Sequence, residues 1–280
     1  MKSMLYVPAD RPERAIRSWR FKPDAVILDL EDGVSMASKE KARASLNEIL
    51  ESSNSEWYIR INSLQSDMLK DDIKYIIHEN LKGIIVPKVE YDNDIWFLER
   101  ILRIYSLKEG KNTNSLKIIP IIESAKGAAN LRAIANSSRR ILALGFGGGD
   151  FCLDLGVKWD PSSPLIRNLM YQISIESRNA GLERPHDSVY PNYNDLETLR
   201  SVCLESKSMG FGTKHAIHPN QIPVINDAFS PTKDEIEWAK KIKEEFESPE
   251  SKDKGVIGIE SNMIDRPVYL NALRILRDSE

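Results

Sequence analysis

One repeated alternation constrains this chain more than any other feature. Short, uninterrupted apolar runs recur along it, and each is followed by a stretch with helical spacing. The runs are Met4 to Val7, Ala25 to Leu30, Trp57 to Ile61, Gly83 to Val86, Lys117 to Ile122, Ile141 to Leu144 and Gly212 to Ile217, with a weaker one around Leu182 to Val189. They are rich in β-branched residues and do not alternate with polar ones. A strand with one wet face alternates; a strand buried on both faces of a parallel sheet does not. Between the runs, Ala42, Leu46, Ile49 and Leu50 share one helical face, as do Leu69, Ile73, Ile76 and Ile77. Further stripes are Leu98, Leu102 and Tyr105, then Leu165, Leu169 and Ile173, then Leu196, Leu199 and Cys203. Asp10 with Glu13 reads as a reciprocal capping pair, and Gly210 as a helix stop. Eight strand–helix alternations within residues 1–230 predict an α/β fold, a (β/α)8 TIM barrel. An open doubly wound sheet is the competitor, disfavoured because no G-x-G-x-x-G follows the first strand.

After Ser230-Pro231 the pattern changes, which suggests residues 1–230 as the barrel and residues 231–280 as a C-terminal helix with an arm or lid. Thr232 and Glu235 form a capping box before a stripe of Ile236, Ala239, Ile242 and Phe246. Residues 247–255 read as a charged linker. Val256 to Leu276 holds a short apolar stretch and a last helix opening near Asp265-Arg266-Pro267. Lys plus Arg is 39 and Asp plus Glu is 42, a formal net charge of −3, which argues against a nucleic-acid partner. Two cysteines, Cys152 and Cys203, are too few for a disulfide framework, and a reduced, cytoplasmic setting is expected. No apolar run is long enough to predict a membrane span.

Chemistry in such a barrel sits at the C-terminal ends of its strands. Behind the successive runs stand Asp10 and Arg11; Asp29, Glu31 and Asp32; Arg60 and Asn62; Lys88 and Glu90; Glu123; Asp150 after Gly147-Gly148-Gly149; His186 and Asp187; and His215 with Ile217-His218-Pro219. Glu123 and Asp150 are candidate Mg2+ ligands, since that ion takes only one or two protein carboxylates. The alternative is that each caps the helix after it. Arg60, flanked by Ile59 and Ile61, requires a partner or a wet cavity. A barrel mouth supplies the cavity, and Glu31 or Asp32 would supply a structural pair. Lys39 and Lys41 read as solvated helix charges, His78 as surface helix, and His218 as either a packed turn residue or a ligand contact.

Several motifs, in order along nearly the whole chain, resemble the HpcH/HpaI aldolase and citrate lyase β-subunit-like family. They are Tyr6-Val7-Pro8-Ala9-Asp10-Arg11-Pro12-Glu13, Ile27-Leu28-Asp29-Leu30-Glu31-Asp32-Gly33-Val34, Arg60-Ile61-Asn62, Val86-Pro87-Lys88, Ile122-Glu123-Ser124-Ala125-Lys126-Gly127, Ile217-His218-Pro219-Asn220-Gln221-Ile222 and Met263-Ile264-Asp265-Arg266-Pro267. The resemblance implies a Mg2+- or Mn2+-dependent carbon–carbon lyase, assembled as a homotrimer or hexamer. Its substrates would be hydroxyacyl thioesters such as malyl-CoA, citramalyl-CoA or a citryl-acyl carrier protein. By the same resemblance Glu123 and Asp150 are metal ligands, Arg60 is the catalytic arginine, and Glu31 and Asp32 are the acidic pair beside the metal water. Asp265, on the lid, reaches a neighbouring subunit's site. Arg11, Lys88, Gly148, Gly149, Ile217, His218 and Pro219 are expected to contact substrate or coenzyme A. Many relatives carry an acid where this chain has Gly149.

The implied chemistry is cleavage to a 2-oxo acid and an acetyl-thioester enolate. Arg60 stabilises the enolate and Asp265 protonates its carbon. A stand-alone CoA lyase is the first reading, and a citrate lyase β subunit acting on a carrier protein the second. The pyruvate aldolase branch acting on 4-hydroxy-2-oxo acids is opposed by the C-terminal arm. A non-catalytic CoA-binding barrel is opposed by Arg60, Glu123 and Asp150.

Overall fold

The computed structural model describes residues 1–53, 55–248, 256–259 and 262–279. Most of the expected linker, residues 249–255, lies outside them. The chain divides into two compact units, Met1–Asn226 and Asp227–Glu280.

In the first unit eight strands close into a parallel barrel in sequence order: β1 (Ser3–Pro8), β2 (Ala25–Asp29), β3 (Trp57–Arg60), β4 (Leu81–Val86), β5 (Lys117–Ile122), β6 (Gly145–Phe146), β7 (His186–Asp187) and β8 (Thr213–Ala216). β8 returns to β1, pairing Lys214 with Ser3 and Ala216 with Leu5. The connecting helices are α1 (Pro12–Ser18), α2 (Lys39–Glu51), α3 (Leu69–Ile76), α4 (Asp92–Glu109), α5 (Ala125–Ala129), α6 (Leu131–Ala135), α7 (Gly148–Asp154), α8 (Pro164–Asn179), α9 (Leu196–Ser208) and α10 (Gln221–Phe229). The unit boundary falls within α10.

Period-two alternation sorts each strand. Met4, Ala25, Ile27, Tyr58, Ile85, Ile119 and Ile121 pack together inside the barrel. Continuing the same parity carries Asp29, Arg60 and Glu123 to the inward face of the last layer. Val26, Leu28 and Ile59, of the other parity, are fully buried without joining that cluster. Truncating an inward residue such as Ile27 to Ala should cost about 2–5 kcal/mol.

Three expectations shift. The sixth strand is Gly145–Phe146 rather than 141–144. Ile141 makes only an isolated bridge to Ile118, while Leu142 and Leu144 accept from the Glu183 and His186 amides. Hydrophobicity marks that segment as buried; the irregular ladder ends its strand character. Helix α1 is not capped by Asp10: its N-cap is Arg11, without a side-chain cap bond, and Pro12 needs no amide partner. On α8 it is Ile166, not Leu165, that turns inward. The stripes on α2 and α3 are buried as expected.

The second unit holds α11 (Lys233–Phe246), an antiparallel pair β9 (Val256–Ile259) and β10 (Asn262–Asp265), and α12 (Arg266–Ser279). The Thr232–Glu235 capping box is present. Ala239, Ile242, Ile264 and Ala272 form its core, with Phe246, Ile257, Val268, Ile275 and Leu276 against it. The expected lid is therefore part strand and has its own hydrophobic centre. Among the described residues, no helix is long and apolar enough to cross a membrane.

Candidate active site

At the C-terminal end of β2, Asp29 accepts four hydrogen bonds. Arg60 Nε donates to Oδ1 at 2.8 Å and Nη2 to Oδ2 at 2.6 Å. The Glu31 and Gly33 amides donate to the same two oxygens at 2.9 and 2.8 Å. A Cβ on Gly33 would lie 2.4 Å from Asp29 Oδ2, so only glycine fits this turn. The turn aims Glu31 back at the barrel, where Arg60 Nη1 lies 3.1 Å from Oε2 and Lys88 Nζ 3.1 Å from Oε1. The structural partners of Arg60 are thus Asp29 and Glu31. Asp32 is exposed, and the expected acidic pair divides into one buried carboxylate and one solvated one.

Arg60 is also stacked from within the barrel. Its guanidinium carbon sits 4.7 Å from the Tyr6 ring centroid, a cation–π contact. Burial works against the Arg60 charge, but Tyr6, Asp29 and Glu31 outweigh it and hold the group protonated. Burial pushes the Glu31 carboxyl up, opposed by Arg60 and Lys88.

Glu123 follows β5 and is 8% exposed. Its Oε1 accepts from the Lys88 amide at 2.7 Å. Lys88 reaches that position with φ of 54°, a left-handed conformation uncommon for a side-chain-bearing residue and concentrated at functional sites. Lys88 Nζ lies 3.9 Å from Asp150 Oδ2, linking both carboxylates to Glu31. Burial, then the negative charges of Asp150 and Glu31, push Glu123 up to about 8. Neither acid is a helix cap: Ser124 caps α5 by accepting from Gly127 N, and Asp150 lies within the first turn of α7.

The glycine run has a steric cause. A Cβ on Gly147 would fall 2.2 Å from Glu123 Oε2 and 2.6 Å from its Cβ. A side chain there would displace the Glu123 carboxylate; Glu123 and Asp150, whose charge is felt at Glu123, are hard oxygen donors of the kind that suits Mg2+. A Cβ on Gly148 would press on Phe146 and Trp159, whereas one on Gly149 would meet nothing within 4 Å.

The remaining expected residues make the following contacts. Arg11 is half exposed, with Nε 3.6 Å from Asp10 Oδ2. The Ile217 and His218 amides both donate to Gln221 Oε1, so those backbone donors are not free for a ligand. The His218 and Pro219 carbonyls accept from Gln221 and Ile222. His218 stacks on Tyr193 at 4.7 Å. Asp187 turns away from the mouth to a buried pair with Lys214 at 2.6 Å. His186 and His215 meet inside the barrel, Nδ1 to Nε2 at 3.2 Å, with Tyr6 edge-on to His215. Burial holds His186 down at about 3 and His215 well below the usual histidine range, so both are neutral. Asp265 belongs to the second unit, where Oδ1 accepts from Val268 N at 3.1 Å.

Three contributors were named in the sequence without the roles that the structure gives them. Asp29 was legible from its parity with Ala25 and Ile27. The glycine run signalled a close backbone approach, but not that Gly147 clears Glu123, which comes from the end of another strand. Lys39 is not solvated: it is 8% exposed, and Nζ donates to Leu30 O, Glu31 O and Asn62 Oδ1 at 2.6, 2.7 and 2.8 Å. His78 lies just past α3, not on it, and its Nδ1 accepts from Asn80 N.

Comparison with known proteins places this geometry in context. The chain is 31% identical over 279 residues to the citrate lyase subunit beta of Leuconostoc mesenteroides subsp. cremoris, covering 99% of this chain and 92% of that one. It is 29% identical to the mitochondrial citramalyl-CoA lyase of Rattus norvegicus, covering 98% and 85% of the two chains. The crystal structure of protein CitE from Mycobacterium tuberculosis, in complex with magnesium, acetoacetate and coenzyme A, superimposes with a TM-score of 0.81 at 26% identity, covering 99% of this chain and 97% of that one. The family described as HpcH/HpaI aldolase/citrate lyase matches residues 2–219. With a closed barrel, a carboxylate-rich mouth and relatives along its full length, the chain belongs to the HpcH/HpaI aldolase/citrate lyase family.

Proposed function

We propose that this protein is a Mg2+-dependent carbon–carbon lyase that cleaves a hydroxyacyl-CoA thioester of the malyl-CoA or citramalyl-CoA type. The products are a 2-oxo acid and an acetyl thioester. The observation that carries the reading is the convergence of the Glu123 carboxylate with Lys88 and Asp150 beside the Glu31–Arg60 pair. Glu123 and Asp150 would hold the ion, which when bound supplies Lewis acidity and a template for the substrate oxygens.

The chain's own residues account for the rest. The substrate hydroxyl loses its proton to Glu31, which Arg60 and Lys88 hold in place. The carbon–carbon bond then breaks, its electrons passing to the thioester as an enolate while the former alcohol carbon becomes a carbonyl. Arg60 has five N–H donors; Asp29 and Glu31 engage three, leaving two for the enolate oxygen. Asp265, supplied by a neighbouring subunit in its carboxylic-acid form, protonates the enolate carbon and is left a carboxylate, while the proton held by Glu31 passes to solvent. Exposed Phe97, Ile104 and Leu107 on α4 support assembly into a homotrimer or hexamer.

The citrate lyase subunit beta relative favours a second reading, in which the thioester is borne by an acyl carrier protein. A product assay across malyl-CoA, citramalyl-CoA and citryl thioesters, with and without Mg2+, separates the readings. Absence of 2-oxo acid from every thioester would sink both.

A further inference from the structure

Behind the Glu31 turn lies a buried polar chain that meets Glu31 only at its backbone carbonyl and bonds to no side chain assigned to substrate or metal. Lys39 opens α2, and its three ammonium hydrogens meet three acceptors: Leu30 O, Glu31 O and Asn62 Oδ1, all between 2.6 and 2.8 Å. Asn62 stands two residues beyond Arg60. Its backbone N–H and side-chain amide both donate to Asp72 Oδ2 at 2.8 Å. Asp72, on α3, is 0% exposed, and its other oxygen accepts from Arg43 Nε at 2.8 Å. Arg43 lies one turn after Lys39 on the same face of α2.

This chain joins the loop after β2, which carries Glu31, to the loop after β3, which follows Arg60. Both are fastened to the helical layer. Burying Lys39, Arg43 and Asp72 together is a poor route to stability alone, because desolvating three charges cancels much of their attraction. Such groups give direction instead: each has fixed geometry, and the carbonyls of Leu30 and Glu31 point at one ammonium.

We propose that Lys39, with Asn62 and Asp72 behind it, is a positioning residue for the lyase reaction, fixing the Leu30–Glu31 backbone so that the Glu31 carboxylate meets Arg60 and Lys88. The inference rests on the reaction proposed above. Lys39 acts through Glu31, and its loss is expected to lower kcat while leaving Mg2+ at Glu123 and Asp150 undisturbed.

The test compares Lys39→Met, Glu31→Gln and the double variant with wild type. Its readouts are kcat, KM, Mg2+ affinity by calorimetry, and hydrogen exchange of the Glu31 and Gly33 amides. Lys39→Met is expected to lower kcat roughly 10–100-fold, the usual effect of removing an outer-shell partner. KM and Mg2+ affinity stay near wild type, and both amides exchange faster. The double variant is expected to be no slower than Glu31→Gln alone, because residues acting as a unit are non-additive. A folded Lys39→Met enzyme with wild-type kcat overturns the proposal, and so does a double variant in which the two losses multiply. Should Lys39→Met fail to fold, Asn62→Ala removes one of the three Lys39 acceptors and the side-chain donor to Asp72, while the backbone donor to Asp72 stays; a smaller kcat loss with faster exchange supports the proposal, and no change overturns it. If wild type cleaves no thioester, the proposed reaction fails by itself. The amide exchange then still decides the positioning claim, and unchanged exchange overturns it.

Discussion

Asp29 grips Arg60 through both carboxylate oxygens, Nε to Oδ1 at 2.8 Å and Nη2 to Oδ2 at 2.6 Å. The same oxygens receive the Glu31 and Gly33 amides, so one side chain sets both the arginine and the turn beside it. Asp29→Ala should therefore weaken catalysis and stability together. The expected stability loss is about 3 kcal/mol, that of stranding one partner of a buried pair. Urea unfolding and kcat measured on one preparation check it; loss of neither would show that Glu31 alone suffices to hold Arg60.

The metal site makes a two-part prediction. Glu123→Gln and Asp150→Asn should each reduce Mg2+ affinity by more than the roughly 10–100-fold that outer-shell losses cost. Turnover should vanish in excess chelator and return with Mg2+ or Mn2+. Undiminished activity in chelator would remove the metal from the mechanism.

Neighbouring glycines should behave oppositely. Gly147→Ala places a methyl 2.2 Å from Glu123 Oε2, so Glu123 must move and Mg2+ binding should weaken. Gly149→Ala meets nothing within 4 Å and lies in the first turn of α7. It should be neutral or stabilising, by at most about 1 kcal/mol from helix propensity. Equal effects in calorimetry and thermal unfolding would refute the steric account of the glycine run.

Stability should fall in acid because of the buried histidines. The folded chain holds His186 at about 3, while the unfolded chain titrates near the ordinary 6.5. Between those values the unfolded state binds a proton that the folded state refuses, so stability rises with pH across that window. The slope reaches about 1.4 kcal/mol per pH unit for each such histidine. His186→Gln should flatten the profile between pH 6.5 and 3. An unchanged slope would assign the acid sensitivity to other groups.

The proposed role of Asp265 is open to complementation. Asp265→Asn should cut turnover by orders of magnitude with Mg2+ binding intact. Mixed oligomers of Asp265→Asn and Glu123→Ala chains should regain activity, since each supplies what the other lacks. Full activity of Asp265→Asn alone would leave only its hydrogen bond to Val268 N.

The barrel was legible in the sequence because its signals are local. Doubly buried strands such as Ala25–Asp29 must be apolar throughout, and their helices must be striped, whatever their neighbours. Strand-end acids such as Glu123 and Asp150 stand out for the same reason, as charge next to apolar runs. Pairing between distant segments is not local. Whether Asp29 or Asp32 meets Arg60 depends on the β2–β3 register, Asp29 beside Arg60, which only chain closure sets. Lys39 looks like any solvated helix lysine until α2 packs it over Leu30, Glu31 and Asn62. Gly147 looks merely flexible until β5 brings Glu123 against it. Composition and period thus determined which elements form and which ends carry charge. Tertiary structure alone decided which charges pair, because a hydrogen bond requires a few tenths of an ångström that no spacing along a chain specifies.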